Sequence, residues 1–100
     1  MKQSIVHDYY DVSENVCFYC GKNRNAGLEK HHIFGAANRK LSDRDGLWVM
    51  LCKECHTEGP MAAHKCKETQ DDLHRMGRQA YLDTHTEQEF LERYGRMYNG

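Results

Sequence analysis

The sequence has no long hydrophobic run, a single proline and only ten aromatic residues among its 100. No apolar stretch in residues 1–16 is long enough for a signal peptide or a membrane span, so we expect a cytoplasmic protein. The length and polar composition predict one domain with a small apolar core, which a metal would help to stabilise. The sequence also lacks internal repeats and low-complexity segments.

The sequence also lacks an excess of charge of either sign, because the formal net charge is only −1. This near-neutral total argues against a protein that coats nucleic acid nonspecifically. Residues 21–56, however, contain seven Lys and Arg against four Asp and Glu. Such a small local excess predicts modest, salt-sensitive affinity for phosphates.

Cysteine is the informative residue type, with five copies in a chain expected in a reducing compartment. In a reducing compartment, paired cysteines bind a metal more often than they form a disulfide. An odd count of cysteines fits four metal ligands and one further cysteine, the bystander. The four expected ligands form two C-x-x-C pairs, Cys17/Cys20 and Cys52/Cys55. Four thiolates in a tetrahedron suit a structural Zn²⁺ with no open coordination position. Cys66 is the bystander, interpreted as a buried core residue.

The local patterns favour two strands around a basic loop. Residues 29–34 and 47–51 are β-compatible segments, and residues 35–46 form the predicted loop between them. Residues 1–16 predict a short strand or an arm packed on the core, with His7 at the surface. Pro60 can occupy the first position of a helix, and apolar residues recur at near-helical spacing from there to the region of residues 83–85. A last amphipathic helix is predicted over residues 87–98.

Three histidines are candidates for chemistry because the cysteine pairs would bring their segments together. They are His31, His32 and His56, the last directly following Cys55. Adjacent strand residues point to opposite faces, so His31 and His32 cannot both simply ligate one metal. We therefore expect one of them to face a metal with His56, and the other to accept a proton from water.

Residues 17–56 resemble the HNH endonucleases of the ββα-metal (His-Me finger) superfamily, particularly the small zinc-clipped proteins of bacteriophages and prophages. The resemblance rests on Cys17-x-x-Cys20, His31-His32-Ile33 and Leu51-Cys52-x-x-Cys55-His56. It implies an α+β fold in a single domain, residues 1–100. A zinc-clipped ββα-metal core over about residues 17–60 would follow an N-terminal arm, and C-terminal helices would occupy about residues 61–98.

By the same resemblance, His32 is the general base, and His31 and His56 bind one catalytic divalent cation, Mg²⁺, Mn²⁺, Ni²⁺ or Zn²⁺. The cation would contact the scissile phosphate, and water activated by His32 would attack in line to leave a 5′-phosphate and a 3′-hydroxyl. His64 is a candidate third ligand, with an exposed histidine as the alternative. The middle asparagine that orients the base histidine in this family is assigned to Asn38, with Asp45 as its substitute.

The resemblance predicts a DNA endonuclease of low sequence specificity. Arg39, Lys40 and Arg44 would contact phosphates, which position a substrate without reading its sequence. One alternative is a non-catalytic zinc-ribbon module that binds nucleic acid or a protein. Another is a packaging accessory that works with a phage terminase.

Overall fold

A computed structural model of the chain describes residues 3–21, 27–96 and 98. It is a mixed α and β structure, and this coarse prediction is confirmed. Its helices and strands follow in the order α1 (Ile5–Tyr9), β1 (Leu28–His32), α2 (Arg39–Arg44), β2 (Trp48–Cys52), α3 (Lys67–Leu82) and α4 (Glu87–Tyr94). A 3₁₀ turn at Ala36–Asn38 precedes α2, and a π-helical turn at Glu54–Glu58 follows β2.

The two predicted strands are present and form one antiparallel pair. Leu28 lies opposite Cys52 and His32 opposite Trp48, so each strand has five residues in register. Four of the five residues of β2 are buried, and α1 contacts this strand. The pair thus brings the first histidine segment beside the strand that leads to the second cysteine pair.

The N-terminal segment packs on the hairpin, but as a helix rather than a strand. The Ser4 side chain accepts the N–H of His7 and so caps α1, a role that serine fills well. The backbone N–H of Ile5 donates to the carbonyl of Gly46 at 2.9 Å, which ties the helix to the turn before β2. The surface position predicted for His7 is wrong, since only 2% of this residue is exposed.

Residues 35–46, predicted as a loop, contain the 3₁₀ turn and the short helix α2. Buried Ser42 explains why this segment is ordered. Its hydroxyl accepts the N–H of Phe34 at 3.2 Å and donates to the carbonyl of Leu47. These bonds close the connection between the end of β1 and the start of β2. The sequence did not predict α2, because six residues are too few to show a helical period.

The helix expected after Pro60 begins only at Lys67. The intervening segment folds back onto the π-helical turn: the N–H of Ala63 donates to the Cys55 carbonyl at 2.7 Å and that of His64 to the His56 carbonyl at 3.2 Å. A helix continuing from Pro60 could not make these long-range bonds. Cys66 consequently takes the N-cap position of α3 and is partly exposed, so its interpretation as a core residue is wrong.

The C-terminal helix α4 contacts α3 and packs on the core. Thr86 and Glu89 form a reciprocal capping box at its start, and Gly95 ends it at Tyr94 with a φ of 78°. The predicted helix to residue 98 is therefore too long, and its residue 97 lies outside the described residues. Phe90 and Tyr94 of α4 pack against Phe34. Among the described residues, no helix combines the length and apolar character needed to span a membrane.

Candidate metal centres

The four paired cysteines meet in space. One sulfur from each residue, Cys17, Cys20, Cys52 and Cys55, lies within 4.8 Å of all the others. The Sγ atoms of Cys20 and Cys52 are 3.6 Å apart. That distance is far longer than a disulfide bond of about 2.05 Å. It is close to the separation of about 3.8 Å expected for two sulfurs of a tetrahedral zinc site with Zn–S of about 2.3 Å.

Local backbone geometry builds the first cysteine turn. Gly21 follows it with a φ of 82°, and the N–H of Gly21 donates to the Cys17 carbonyl at 2.9 Å. A positive φ suits glycine, as the sequence pattern predicts. The N–H of Phe18 donates to the Met50 carbonyl at 2.8 Å, which fastens this turn beside β2. The two cysteine pairs therefore approach each other because the hairpin and the turn share backbone hydrogen bonds.

The thiols of the cysteine cluster perturb one another's pKa values. Burial raises the pKa of Cys17, but hydrogen bonds from the backbone of Cys20, Cys52 and Tyr19 more than offset this and bring it to about 7. Burial and the neighbouring sulfurs raise the pKa of Cys55. Four thiolates this close repel one another strongly without a cation between them. The donor set thus fits a structural metal such as zinc.

A second cluster contains His31, His56 and His64, each with a ring nitrogen within 4.8 Å of the others. The Nε2 atoms of His56 and His64 are 3.1 Å apart. Two nitrogens of a tetrahedral zinc site would be about 3.3 Å apart for Zn–N of about 2.05 Å. The spacing of these nitrogens would therefore allow them to bind a single ion.

Three different segments supply this cluster. His31 comes from β1, His56 from the π-helical turn and His64 from the segment that folds back upon that turn. π-Helical turns occur often at functional sites. The two predicted ligands, His31 and His56, are brought together here. His64 joins them, a residue that sequence reasoning left open between a ligand and an exposed histidine.

His31 lies deepest and carries the strongest electrostatic perturbation of the three. It is 4% exposed, and its Nδ1 atom is buried and has no hydrogen-bond partner among the described residues. Burial, and then the proximity of His56 and His64, lowers its pKa to about 3. The ring is therefore neutral near pH 7, and a neutral imidazole nitrogen is the form that binds metals. The orphaned nitrogen fits a ligand whose metal would satisfy it.

His32 points away from the cluster, as expected for its neighbour on a strand. Its Nε2 atom donates to Oδ1 of Asp43 at 3.0 Å, and Lys30 Nζ donates to the same oxygen at 2.8 Å. Lys30 and His32 together lower the pKa of the Asp43 carboxyl. Asp43 is therefore ionised and accepts both bonds.

The side chain of Asn38, the residue assigned to orient His32, bonds two tyrosines of the C-terminal segment. The amide of Asn38 donates to the carbonyl of Tyr94 at 3.0 Å and to the hydroxyl of Tyr98 at 2.7 Å. Asp45, the proposed substitute, binds Arg93 and Tyr94. A side chain that does bond the His32 ring is that of Asp43, a residue that sequence reasoning missed.

Two neighbouring cavities meet at His32. The larger, about 490 Å³, is lined by His32, Arg39, Lys40, Asp43 and Arg44. The smaller, about 290 Å³, is lined by Lys30, His31, His32, Gly35, Ala36, Arg39, His56 and His64. All three basic residues predicted to contact phosphates therefore line the larger cavity, and Arg39 borders both. The combined cleft carries positive charge beside the histidine cluster.

Glu29 is the other site residue that sequence reasoning missed. Its Oε1 atom lies 2.9 Å from Nδ1 of His56. Glu29 and His31 are two positions apart on β1 and so share a face of the strand, which is the sequence signal that could have found it. Asp43 offered no comparable signal, because its approach to His32 depends on the short helix α2.

Comparison of the chain with known protein families, with curated proteins and with solved structures found no match.

Proposed function

We propose that the chain is an HNH-type, divalent-metal-dependent DNA endonuclease. The observation that carries the proposal is the trio of convergent histidine nitrogens, with His32 beside it in a basic cleft. A zinc-ribbon module has no need for a second ligand set of this kind. A nuclease needs both a cation near the scissile phosphate and a base for water.

His32 is suited to act as that base. Because its Nε2–H is donated to Asp43, the lone pair of the neutral ring is on Nδ1, which is then free to accept a proton. Water that transfers its proton to Nδ1 would form a bond from its oxygen to phosphorus while the bond from phosphorus to the 3′ oxygen breaks. The leaving 3′ oxygen takes up a proton from solvent water, so the products are a 5′-phosphate and a 3′-hydroxyl.

His31, His56 and His64 are the residues that would hold the catalytic cation, Mg²⁺, Mn²⁺, Ni²⁺ or Zn²⁺. When bound there, a divalent cation supplies electrostatic stabilisation of the charge that develops on the leaving oxygen. Three imidazoles leave coordination positions for oxygen ligands, unlike the closed set of four cysteines. The cysteine site is thus proposed as structural zinc and the histidine site as the reactive centre.

Arg39, Lys40 and Arg44 would bind the phosphates that flank the scissile bond, since they line the cavity next to His32. Such contacts position the backbone without reading bases, which predicts low sequence specificity. For its setting we propose a cytoplasmic, phage-encoded enzyme, with a packaging accessory that needs a terminase partner as the alternative.

The test is cleavage of supercoiled plasmid by zinc-loaded protein with added Mg²⁺, Mn²⁺ or Ni²⁺. We expect metal-dependent nicking that His32→Ala abolishes and that His85→Ala, at an exposed histidine outside the cleft, retains. Cleavage that persists in His32→Ala would overturn the assignment of the base. Absence of cleavage, together with no second metal site by calorimetry, would favour the zinc-ribbon alternative. A second site without cleavage would indicate a missing partner.

A further inference from the structure

Glu29 forms a contact that metal ligation by His56 alone does not require. Its carboxylate oxygen Oε1 meets Nδ1 of His56 at 2.9 Å, while Nε2 of the same ring faces His64 at 3.1 Å. The two ring nitrogens of His56 therefore have different partners. One faces a carboxylate outside the histidine cluster, and the other faces the cluster itself.

The chemistry of these partners fixes the state of the ring. An ionised carboxylate can only accept hydrogen bonds, so Nδ1 of His56 must carry the hydrogen. In the neutral ring, the lone pair is then on Nε2 and points toward His31 and His64. A carboxylate behind a histidine in this way sets the tautomer and the ring orientation of a metal ligand and increases its basicity.

We infer that Glu29 is a positioning residue for the metal centre, which holds His56 with its Nε2 lone pair directed at the ion. This inference rests on the proposed function, because it assumes that the histidine cluster binds a cation. Glu29 itself does not ligate, since its oxygen is used on the opposite side of the imidazole. Strand β1 thus supplies a ligand, His31, and the support for a second ligand from adjacent positions on one face.

A simple ion pair between Glu29 and a protonated His56 is the competing explanation. The two explanations predict different results when a neutral hydrogen-bond acceptor replaces the Glu29 carboxylate. In Glu29→Gln, the amide oxygen can still accept the Nδ1–H, so the ring should keep its orientation although the negative charge is lost. In Glu29→Ala, both the charge and the acceptor are lost.

The experiment is calorimetric titration of Ni²⁺ into zinc-loaded protein, with zinc content and circular dichroism measured for each variant. Imidazole is a favourable ligand for Ni²⁺. We expect Glu29→Ala to raise the Kd for Ni²⁺ by about 10- to 100-fold, which is typical of a lost partner behind a metal-binding histidine. Glu29→Gln should remain within a few-fold of the wild type. Glu58→Ala, which removes the same charge from the exposed end of the π-helical turn, should bind as the wild type does.

Long-range ¹H–¹⁵N spectra give a readout that does not depend on metal. Before Ni²⁺ is added, His56 should be the Nδ1–H tautomer in the wild type and in Glu29→Gln, and a mixture of tautomers in Glu29→Ala. Unchanged Ni²⁺ affinity in Glu29→Ala would overturn the inference about Glu29 while leaving the metal centre intact. Equal losses in the Gln and Ala variants would replace it with the ion pair. A wild type that binds no Ni²⁺ would overturn both this inference and the metal centre of the proposed function.

Discussion

Asp45 and Arg93 form an ion pair with two hydrogen bonds, from Nε of Arg93 to Oδ2 at 2.6 Å and from Nη2 to Oδ1 at 2.9 Å. The Tyr94 hydroxyl donates to Oδ2 as well, at 2.6 Å. Asp45 stands in the turn before β2, and its two partners belong to α4. This carboxylate therefore fastens the C-terminal helix to the hairpin.

Replacement of Asp45 by Ala should destabilise the fold by about 1–2 kcal/mol, because the Tyr94 hydroxyl is left without its charged acceptor. The ion pair with Arg93 adds little to this, because the Arg93 side chain is 37% exposed and solvent screens the pair. Chemical denaturation measures the change. Asp72→Ala breaks an exposed pair with Arg75 on α3 and a 3.4 Å hydrogen bond from the Tyr19 hydroxyl. It is the control and should cost less than the Asp45 variant, because both contacts are exposed. Equal effects of the two substitutions would contradict the anchoring role.

The elements predicted correctly are those whose signals are local. Residues of β2 are apolar and β-forming, and the C-x-x-C pairs carry their own spacing, so both were recognisable. The helix α1 was not, because five residues are too few for a helical period and its stability comes from packing. The delayed start of α3 was equally hidden, since it depends on bonds to the carbonyls of Cys55 and His56.

In the candidate site, too, the residues with local sequence signals were predicted and those placed by tertiary contacts were not. The histidine pair on β1 and His56 could be selected from sequence because each lies beside a strand or cysteine signal. The carboxylates that hold these rings could not be assigned by resemblance. Asn38 has the residue type expected for orienting His32, yet its amide binds Tyr94 and Tyr98 on the other side of the connection. Asp43 reaches His32 instead, and this contact depends on the geometry of the short helix α2 between the strands.

The cysteine cluster should determine whether the domain folds. Zinc bound by four thiolates contributes about 10–16 kcal/mol of apparent binding free energy. This is comparable to the total stability of about 5–15 kcal/mol typical of a domain. Replacement of Cys17 by Ser, or removal of zinc by a chelator, should therefore cause global unfolding.

Circular dichroism and metal analysis provide the measurement. Cys66→Ser is the matched control, because this fifth cysteine lies outside the cluster of four. The control should keep one tightly bound zinc and a native spectrum. A Cys17→Ser protein that stays folded without zinc would show that the cluster is dispensable for the fold.

His7 should make the protein less stable below about pH 6.5. Burial lowers its pKa from the usual 6.5, although hydrogen bonding to Val12 and the charge of Glu14 partly oppose this. In the fold, Nε2 accepts the N–H of Met50 at 3.0 Å, a bond that a protonated ring cannot accept. As the pH falls, the unfolded chain takes up a proton at His7 before the folded chain does, so the stability present above pH 6.5 is lost as the pH falls toward the folded pKa.

Denaturant titrations across this range test the expectation with His7→Gln as the comparison. The Gln amide oxygen can accept the Met50 N–H at the position of Nε2 but does not titrate. Other groups, including His31 and His74, whose pKa values are also lowered, contribute equally to both proteins and cancel in the difference. The wild type should thus lose more free energy of unfolding than the variant as the pH is lowered. Parallel pH profiles for the two proteins would exclude His7 as the source.

Asp43 should influence the rate of cleavage more than substrate binding if His32 is the base. Its carboxylate holds Nε2 of His32 at 3.0 Å, so Asp43→Ala leaves the ring present but free to rotate and to change tautomer. Because a general base contributes about 10²- to 10⁴-fold to a rate, loss of its orientation should lower kcat for plasmid nicking by about 10- to 100-fold. The KM should change by no more than a few-fold.

Asp43→Asn, whose amide oxygen can still accept from Nε2–H, should recover most of the lost rate, while Asp72→Ala should match the wild type. Loss of kcat in the Asn variant equal to that in the Ala variant would show that the charge of Asp43, rather than its hydrogen bond to His32, is what the reaction uses.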